Sequence, residues 1–410
     1  MTAAAGNGGD LLLLCHRVPY PPDKGDKIRS YRWLRALAER YRVYLGAFVD
    51  DPRDWQHAQR VRDLCAEACL LPLSATRAKL RSLPALLTRA PLTRGFYRDR
   101  RMSRWVEEVL GRTRTHRIVV YSSAMAQYVS GARFRDYRRV IDFVDVDADK
   151  WRQYGEHRRG PMGLVYRREA KRLLAHDVAV AREFDLSLFV SPAEARFFEA
   201  VGALGVRPGH VGNGVDHGYF DPGAPRRSPF PPGHDAVVFT GAMDYWANVD
   251  AVLWFAETIW PSVRARLPSA RFDIVGARPD ARVRALAGDH IVVTGRVPDV
   301  RPYLQHAAAV VAPMRVARGV QNKVLEGMAM ARPVVLSPAA LEGIEAEDGE
   351  TVLLADSQDL YVQRVCEAVS GQYPDMGIRA RARIVDAYGW AAASARFLAM
   401  VEGGAAGAEN

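Results

Sequence analysis

The sequence is poor in cysteine and has no long apolar run. Its 410 residues hold 4 cysteines, with no CxxC pair and no histidine at a zinc-like spacing, so we expect neither a disulfide framework nor a structural zinc site. Apolar runs such as 11–15 and 307–314 are far shorter than the ~20 residues that a transmembrane helix requires. We therefore expect neither an integral membrane protein nor a small disulfide-stabilised module.

The rest of the composition is that of an ordinary globular protein. Apolar residues make up 49% and charged residues 25%, and a chain of this length fits two domains of roughly 200 residues each. Residues 1–10 carry no cationic stretch ahead of the first apolar run, and no small-residue cleavage site follows that run. We therefore predict no secretory signal and a cytoplasmic location.

Charge is distributed unevenly along the chain. Residues 1–200 contain 37 Lys and Arg against 24 Asp and Glu, whereas the remainder contains 20 against 23. Residues 77–117, the basic region, hold twelve cations and three acids among leucines and aromatic residues. Such a stretch can contact an anionic surface, including the inner face of the cytoplasmic membrane, or can be a set of solvated helix faces. No nucleic-acid-binding motif accompanies it, so nucleic acid is not an expected partner.

Short apolar runs alternate with amphipathic stretches in both halves of the sequence. This rhythm predicts βαβ units, and therefore an α/β protein with two Rossmann-like, doubly wound domains joined by a glycine- and proline-rich linker. We predict domains at 1–211 and 212–380, followed at 381–410 by a tail and a C-terminal helix that packs back on the first domain. Ligands of open α/β sheets bind beyond the carboxyl ends of the strands, so a site between two facing domains is expected.

Lysine is scarce, and its positions are therefore informative. The chain uses six lysines among its 57 cations, and Lys323 is the only one in the second half. It follows a buried strand pattern and a glycine-bearing turn, at the start of a helix whose free N–H groups can bind an anion. Glu326 lies on the same helix face, and a carboxylate can accept from both hydroxyls of a ribose. The two residues predict a nucleoside diphosphate site, with a surface ion pair as the alternative.

Five landmarks occur in a fixed order along the chain, at residues 211–216 with Phe220, 239–243, 272–276, 294–299, and 323–329 with 332–335. They resemble the landmarks of glycosyltransferase family 4, whose members are retaining nucleotide-sugar transferases of GT-B fold. The resemblance covers nearly the whole chain. Two further stretches, 19–29 and 141–147, resemble the subgroup associated with exosortase/PEP-CTERM exopolysaccharide systems.

The resemblance implies a donor site in the second domain. Glu326 matches the second glutamate of the family's E-x7-E motif, which binds the ribose, and Lys323 lies where a phosphate-neutralising cation is expected. Arg318 stands in place of the first glutamate. The Arg and Lys that many family members carry shortly after the matching glycine are absent after Gly241, so we expect Lys323, with Arg315 or Arg318, to neutralise the diphosphate. The backbone at position 297 is expected to pair with the nucleobase. The predicted donor-binding residues are Gly25, Gly241, Val297, Arg315, Arg318, Gly319, Val320, Gln321, Asn322, Lys323 and Glu326.

In the first domain, the acceptor-side histidine of the family has no match. The expected strand end carries Asp142, Asp145 and Asp147 instead. We predict that Asp145 lies nearest the reacting hydroxyl and Asp142 next, although either can be a helix cap or a solvated acid. Lys24 precedes Gly25, where the absence of a side chain lets the backbone approach a ligand closely. Lys24, Asp142 and Asp145 form the predicted catalytic set.

The predicted function is retaining transfer of a sugar from a nucleoside diphosphate donor to a glycan or lipid-linked acceptor in exopolysaccharide or cell-surface glycan synthesis. Asp145-Val146-Asp147 spells the metal-binding D-x-D of single-sheet glycosyltransferases, but the helix-end phosphate site makes a metal unnecessary, so we predict no metal and no cofactor. One alternative is a nucleotide-sugar epimerase of the same fold, which the shortage of matched histidines disfavours. The other is a non-catalytic binding protein with a decayed site, which the lost glutamate suggests.

Overall fold

A computed structural model describes residues 8–22, 25–157, 160–202, 205, 208–317 and 320–403. The chain divides into two compact units. The first comprises residues 1–211 and 394–410, and the second comprises residues 212–393. Each unit is built on one parallel β-sheet.

The first unit has a sheet of seven strands among the described residues, in the order β3-β2-β1-β4-β5-β6-β7. Its strands are β1 Asp10–Cys15, β2 Arg42–Val49, β3 Glu67–Pro72, β4 Thr115–Tyr121, β5 Arg138–Val144, β6 Leu186–Phe189 and β7 Gly209–His210. Its helices are α1 Gly25–Ala38, α2 Ala58–Arg62, α3 Ala75–Ser82, α4 Leu92–Phe96, α5 Arg100–Arg112, α6 Ser123–Ala126, α7 Asp147–His157, α8 Pro161–Glu183 and α9 Pro192–Gly202.

Burial explains the sheet and the helices around it. Strand β1 is an almost continuous leucine run that lies fully buried at the centre of the sheet, as expected for a parallel strand covered on both faces. Helix α5 begins where the Asp99 carboxylate accepts from the Arg101 backbone N–H at 2.9 Å. Met102, Val106 and Val109 are its buried residues, at the spacing of one helix face. The apolar run of β1 and the spacing of the buried residues in α5 therefore correspond to the strand and the helix that such patterns predict.

The second unit has a sheet of six strands among the described residues, in the order β10-β9-β8-β11-β12-β13. Its strands are β8 Asp235–Thr240, β9 Ala270–Val275, β10 Ile291–Gly295, β11 Ala309–Ala312, β12 Val334–Leu336 and β13 Leu353–Leu354. Its helices are α10 Trp246–Trp254, α11 Trp260–Arg266, α12 Ala281–Arg284, α13 Arg301–Gln305, α14 Asn322–Ala329, α15 Pro338–Leu341, α16 Gln358–Val369 and α17 Met376–Ala387, and α18 Trp390–Glu402 follows them.

The C-terminal segment differs from the prediction. The sequence predicts one C-terminal helix within 381–410, but the chain is interrupted between α17 and α18, where the Tyr388 carbonyl accepts from the Val215 N–H at 2.7 Å and Gly389 pairs with Val215. The predicted boundary at 380 falls inside α17, which lies wholly in the second unit, and the change to the first unit comes at Ser394. There α18 packs against α1, with the rings of Phe397 and Trp33 stacked at 4.2 Å.

No helix in the described part of the chain combines the length and apolarity of a bilayer-spanning segment.

Candidate active site

Glycines follow two neighbouring strands at the carboxyl edge of the second sheet. Gly241 comes directly after β8 and Gly276 directly after β9. A Cβ at position 276 would lie 1.7 Å from the Gly241 carbonyl oxygen, and a Cβ at 241 would lie 2.7 Å from the Asn248 side-chain nitrogen. Only glycine fits at position 276, and the backbone at this edge is therefore free of side chains that would obstruct a ligand.

Lys323 lies at the start of α14, close to this edge. Its ammonium donates to Oδ1 of Asn248 at 3.0 Å and to Oε1 of Gln321 at 3.2 Å, and it lies 5.1 Å from the centre of the Phe239 ring. The side chain is buried, and that burial, opposed by the charge of Glu326, lowers the pKa of Lys323 to about 8. A buried cation is therefore held at the N-terminus of a helix, where the helix dipole adds partial positive charge.

Glu326 lies one helical turn further along α14. Its carboxylate makes no hydrogen bond with the described residues and is only partly exposed. Burial raises the pKa of Glu326 to about 7, against the opposing effect of the Lys323 charge. Lys323 and Glu326 thus form a pair of oppositely perturbed groups on one helix face, which is typical of functional sites.

Asn248 is a member of this cluster that the sequence did not identify. It is buried on α10, where its Nδ2 donates to the Ala242 carbonyl at 3.0 Å and its Oδ1 accepts from Lys323. One amide therefore connects the loop after Gly241 to the cation of α14. The available signal was an asparagine at a buried position of a mainly apolar helix, whose other polar residue is Asp250.

We expect the substitution Asn248→Ala to weaken nucleotide binding about tenfold, because the Lys323 ammonium loses a charge-assisted hydrogen bond that orients it. Asn248→Asp keeps the acceptor atom and should retain most of the affinity. Isothermal titration of a nucleoside diphosphate into both variants is the measurement. Equal affinity of Asn248→Ala and the unsubstituted protein would show that Asn248 only packs the loop.

Five further predicted donor residues lie near α14 or the sheet. Arg315 is largely exposed and forms a two-bond ion pair with Asp250, with Nε to Oδ2 at 3.0 Å, so its guanidinium is already engaged. Val297 and Val320 are partly buried against the apolar core of the second unit, where only their backbone could contact a ligand. Gln321 and Asn322 begin α14. Arg318 and Gly319 lie outside the described residues.

The structure corrects the prediction for Asp142. Its carboxylate is fully buried in the first unit, where it accepts from Nε of Arg29 and from Nε1 of Trp33, each at 2.7 Å. The Val144 backbone N–H supplies a further bond at 3.0 Å. A carboxylate so surrounded has no oxygen open to an acceptor, so Asp142 fixes β5 to α1 and does not belong in the catalytic set.

Asp145 lies at the carboxyl edge of the first sheet, as predicted. Its carboxylate is about one-third exposed and pairs with Lys150 at 2.8 Å, and Lys150 also pairs with Asp147 at 2.9 Å. The preceding residue, Val144, has a φ of 71°, an unfavourable conformation for a β-branched residue. Strain of this kind, costing about 1–3 kcal/mol, often occurs at functional sites. Gly25 begins α1 and has open space around it, whereas Lys24 lies outside the described residues.

His16 is a polar residue at this edge that the sequence left unassigned. It follows β1, lies 3.5 Å from the Asp26 carboxylate and stacks on the Tyr121 ring. Although burial acts in the opposite direction, His16 and Arg17 hold the pKa of the Asp26 carboxyl below its usual value. Sequence spacing could not indicate that His16, Asp26 and Tyr121 lie together, because the pairing of β1 with β4 joins parts of the chain about a hundred residues apart.

No group of three potential metal-ligating side chains occurs among the described residues. The absence of a metal requirement stays a prediction, because it concerns the bound state.

Comparison with known proteins identifies the domain type of the second unit. Residues 234–371 match the family model described as Glycosyl transferases group 1. This range includes Gly241, Asn248, Lys323 and Glu326. No curated protein matches the sequence.

Solved structures of low sequence identity share the fold across nearly the whole chain. Sucrose-phosphate synthase from Thermosynechococcus elongatus has a TM-score of 0.68 at 15% identity, covering 96% of this chain and 98% of its own. Anabaena HepE in complex with UDP and glucose has a TM-score of 0.66 at 13% identity, covering 96% and 99%. A glycosyltransferase from Rickettsia africae has a TM-score of 0.62 at 10% identity, covering 97% and 98%. With its glycosyl transferases group 1 domain and two parallel sheets, the chain has the predicted GT-B fold and is a glycosyltransferase.

Proposed function

We propose that the protein transfers a hexose, with retention of configuration, from a nucleoside diphosphate sugar to a glycan or lipid-linked acceptor of cell-surface or exopolysaccharide synthesis. The observation that carries the proposal is the cluster of Lys323, Asn248 and Glu326 beside the bare backbone after β8. The Anabaena neighbour is in complex with UDP and glucose, which supports the same donor class for this chain. The narrower kinship with family 4 and the exosortase-associated subgroup is part of the proposal.

Each group has a role in this reaction. The Lys323 ammonium and the positive end of the α14 dipole stabilise the diphosphate as negative charge develops on it. The ionised Glu326 carboxylate accepts from the ribose hydroxyls. As the bond from the anomeric carbon to the phosphate oxygen breaks, its electron pair goes to the leaving diphosphate. The acceptor oxygen bonds to the same face, and its proton passes to a leaving phosphate oxygen, so no histidine base is needed.

The direct test is turnover with a panel of UDP- and GDP-sugars. We expect nucleotide release that increases when a matching acceptor is added, an unchanged anomeric configuration in the product, and equal rates with and without EDTA. An epimerase would convert the sugar while it stays attached to the nucleotide, and a scaffold would give no turnover. Either result, with a donor that demonstrably binds, would refute sugar transfer; a rate abolished by EDTA would refute metal independence.

Donor affinity should depend on pH in a bell-shaped manner. Ribose binding needs ionised Glu326, whose pKa is about 7, so affinity should rise as the pH increases towards that value. Diphosphate binding needs protonated Lys323, whose pKa is about 8, so affinity should fall as the pH rises beyond it. Titration from pH 5.5 to 9.5 is the measurement, and Glu326→Gln should remove the acidic limb. A flat profile would contradict these roles.

A peripheral location at the inner face of the cytoplasmic membrane is part of the proposal, with the basic region facing the anionic surface.

A further inference from the structure

The first unit contains a pocket of about 460 Å³ between the basic region and the two residues that follow α6. Three arginines line it, namely Arg81 from α3, Arg94 from α4 and Arg98 just before α5, together with the neutral polar residues Gln127 and Tyr128. None of its described lining residues is acidic. The volume lies within the usual range of small-molecule sites.

The arginine charges are not neutralised within the pocket. Arg81 donates to the Gly95 carbonyl oxygen at 3.2 Å and to that of Phe96, which fixes it at the end of α4 without adding a countercharge. The side chains of Arg94 and Arg98 are exposed and form no hydrogen bond or ion pair with described residues. Converging like charges repel one another, and a bound anion would relieve that repulsion.

The other polar groups nearby are already used. The Tyr128 hydroxyl donates to the Tyr97 carbonyl and accepts from the Asp99 N–H at 2.9 Å. The Asp99 carboxylate caps α5 and pairs with Arg101 at 2.8 Å. Asp99 is therefore already paired and forms no ion pair with the pocket arginines. Guanidinium groups bind phosphate through paired hydrogen bonds, so an anion of the phosphate class fits them best.

Exposed leucines border the same pocket. Leu83, Leu86 and Leu87 expose 51%, 37% and 93% of their surface, and Pro84 and Ala85, between them, line the pocket. Apolar side chains of this size, left in water beside a group of cations, are the combination by which peripheral proteins hold a lipid surface. An anion carried by a lipid satisfies both features, whereas a free anion satisfies only the arginines.

We propose that this pocket binds the phosphate or diphosphate headgroup of a lipid, while Leu83, Leu86 and Leu87 enter the apolar boundary of the bilayer. The inference deepens the proposed function, because it makes the lipid the carrier of the acceptor. It needs no part of the donor site, since all the residues that carry it belong to the first unit.

The test compares two variants of equal charge. Arg94→Gln/Arg98→Gln removes two pocket cations, and Arg100→Gln/Arg104→Gln removes two exposed cations of α5 outside the pocket. Binding is measured by flotation with phosphatidylcholine vesicles that contain an isoprenoid diphosphate, or phosphatidylglycerol at the same total charge. We expect the pocket variant to bind the diphosphate vesicles at least tenfold more weakly, and the control variant to differ by less than about twofold.

A third variant and a soluble ligand separate the lipid from a free anion. Leu86→Ser/Leu87→Ser should lose vesicle binding yet still bind inorganic pyrophosphate, and binding of pyrophosphate without any preference for diphosphate vesicles would overturn the lipid assignment. Equal weakening of the pocket and control variants would overturn the pocket itself. Nucleoside diphosphate affinity, measured on the same proteins, should be unchanged. If the unsubstituted protein bound no nucleoside diphosphate, the proposed donor site would be refuted, and the vesicle result would remain valid.

Discussion

Glu326→Gln is expected to reduce kcat/KM for the donor by roughly 30- to 1,000-fold while leaving the protein folded. The carboxylate is the proposed acceptor for both ribose hydroxyls, and charge-assisted hydrogen bonds contribute about 1.5–3 kcal/mol each. Glutamine keeps the shape but only one neutral acceptor oxygen, so most of that energy is lost. Steady-state kinetics with the preferred nucleotide sugar is the measurement.

The same substitution should stabilise the fold at alkaline pH. The folded-state pKa of Glu326, about 7, lies above its ordinary value of 4.5, so the charged carboxylate opposes folding once the pH exceeds that ordinary value. A neutral glutamine removes this cost, and we expect the free energy of unfolding at pH 8 to rise by roughly 1–3 kcal/mol. Lower activity with higher stability is the signature of a site residue.

Glu342→Gln provides the control, because Glu342 is exposed and outside the proposed site. It should change neither kcat/KM nor stability by a measurable amount. Lys323→Met should lower kcat/KM by about 100- to 1,000-fold, as expected when a group that stabilises transition-state charge is removed. If the Glu326 and Lys323 variants both kept normal kinetics, the donor site would have to lie elsewhere.

Arg29→Met is expected to destabilise the protein by about 3–5 kcal/mol, because it leaves the buried Asp142 carboxylate without its cation. Arg29 is itself fully buried and also donates to the Val211 carbonyl at 2.7 Å, so the substitution breaks the link between α1, β5 and the end of the first unit. Urea unfolding, followed by tryptophan fluorescence, measures the loss.

Two comparisons test the cause of that loss. Arg35→Met, at an exposed position on the same helix, should lie within about 0.5 kcal/mol of the unsubstituted protein. Arg29→Met/Asp142→Leu removes both charges and should recover much of the stability, since an apolar pair needs no countercharge. If the double variant were no more stable than Arg29→Met, lost packing would be responsible, and the ion pair would not.

The positions of the strands and helices depend mainly on residues that are close together in the sequence, and the sequence predicted these positions well. The strand-like segments at 11–15, 236–240 and 271–275 coincide with β1, β8 and β9 to within one residue. The two very short strands β7 and β13 had no pattern long enough to recognise. The break before α18 was missed for another reason, because it depends on Val215, far away in the sequence.

The residues of the candidate site also fall into two groups, those that local spacing indicated and those that only long-range contacts bring together. Lys323 and Glu326 are three residues apart, so helical periodicity alone placed them on one face. Asn248 donates and accepts across that site from 75 residues away, and Arg29 reaches Asp142 across 113 residues. No local pattern reports such contacts, and Asp142 was therefore predicted as catalytic although its oxygens are already occupied.

The sequence by itself determined the alternation of strands and helices, the uneven charge and the chemistry available on α14, because these follow from residue type and short-range spacing. Tertiary structure alone decided which polar groups neutralise one another and which stay open. Asp142 is enclosed by Arg29 and Trp33, whereas the side chains of Glu326, Arg94 and Arg98 form no hydrogen bond or ion pair with described residues. That outcome depends on desolvation and on distances across the folded chain, which residue spacing does not encode.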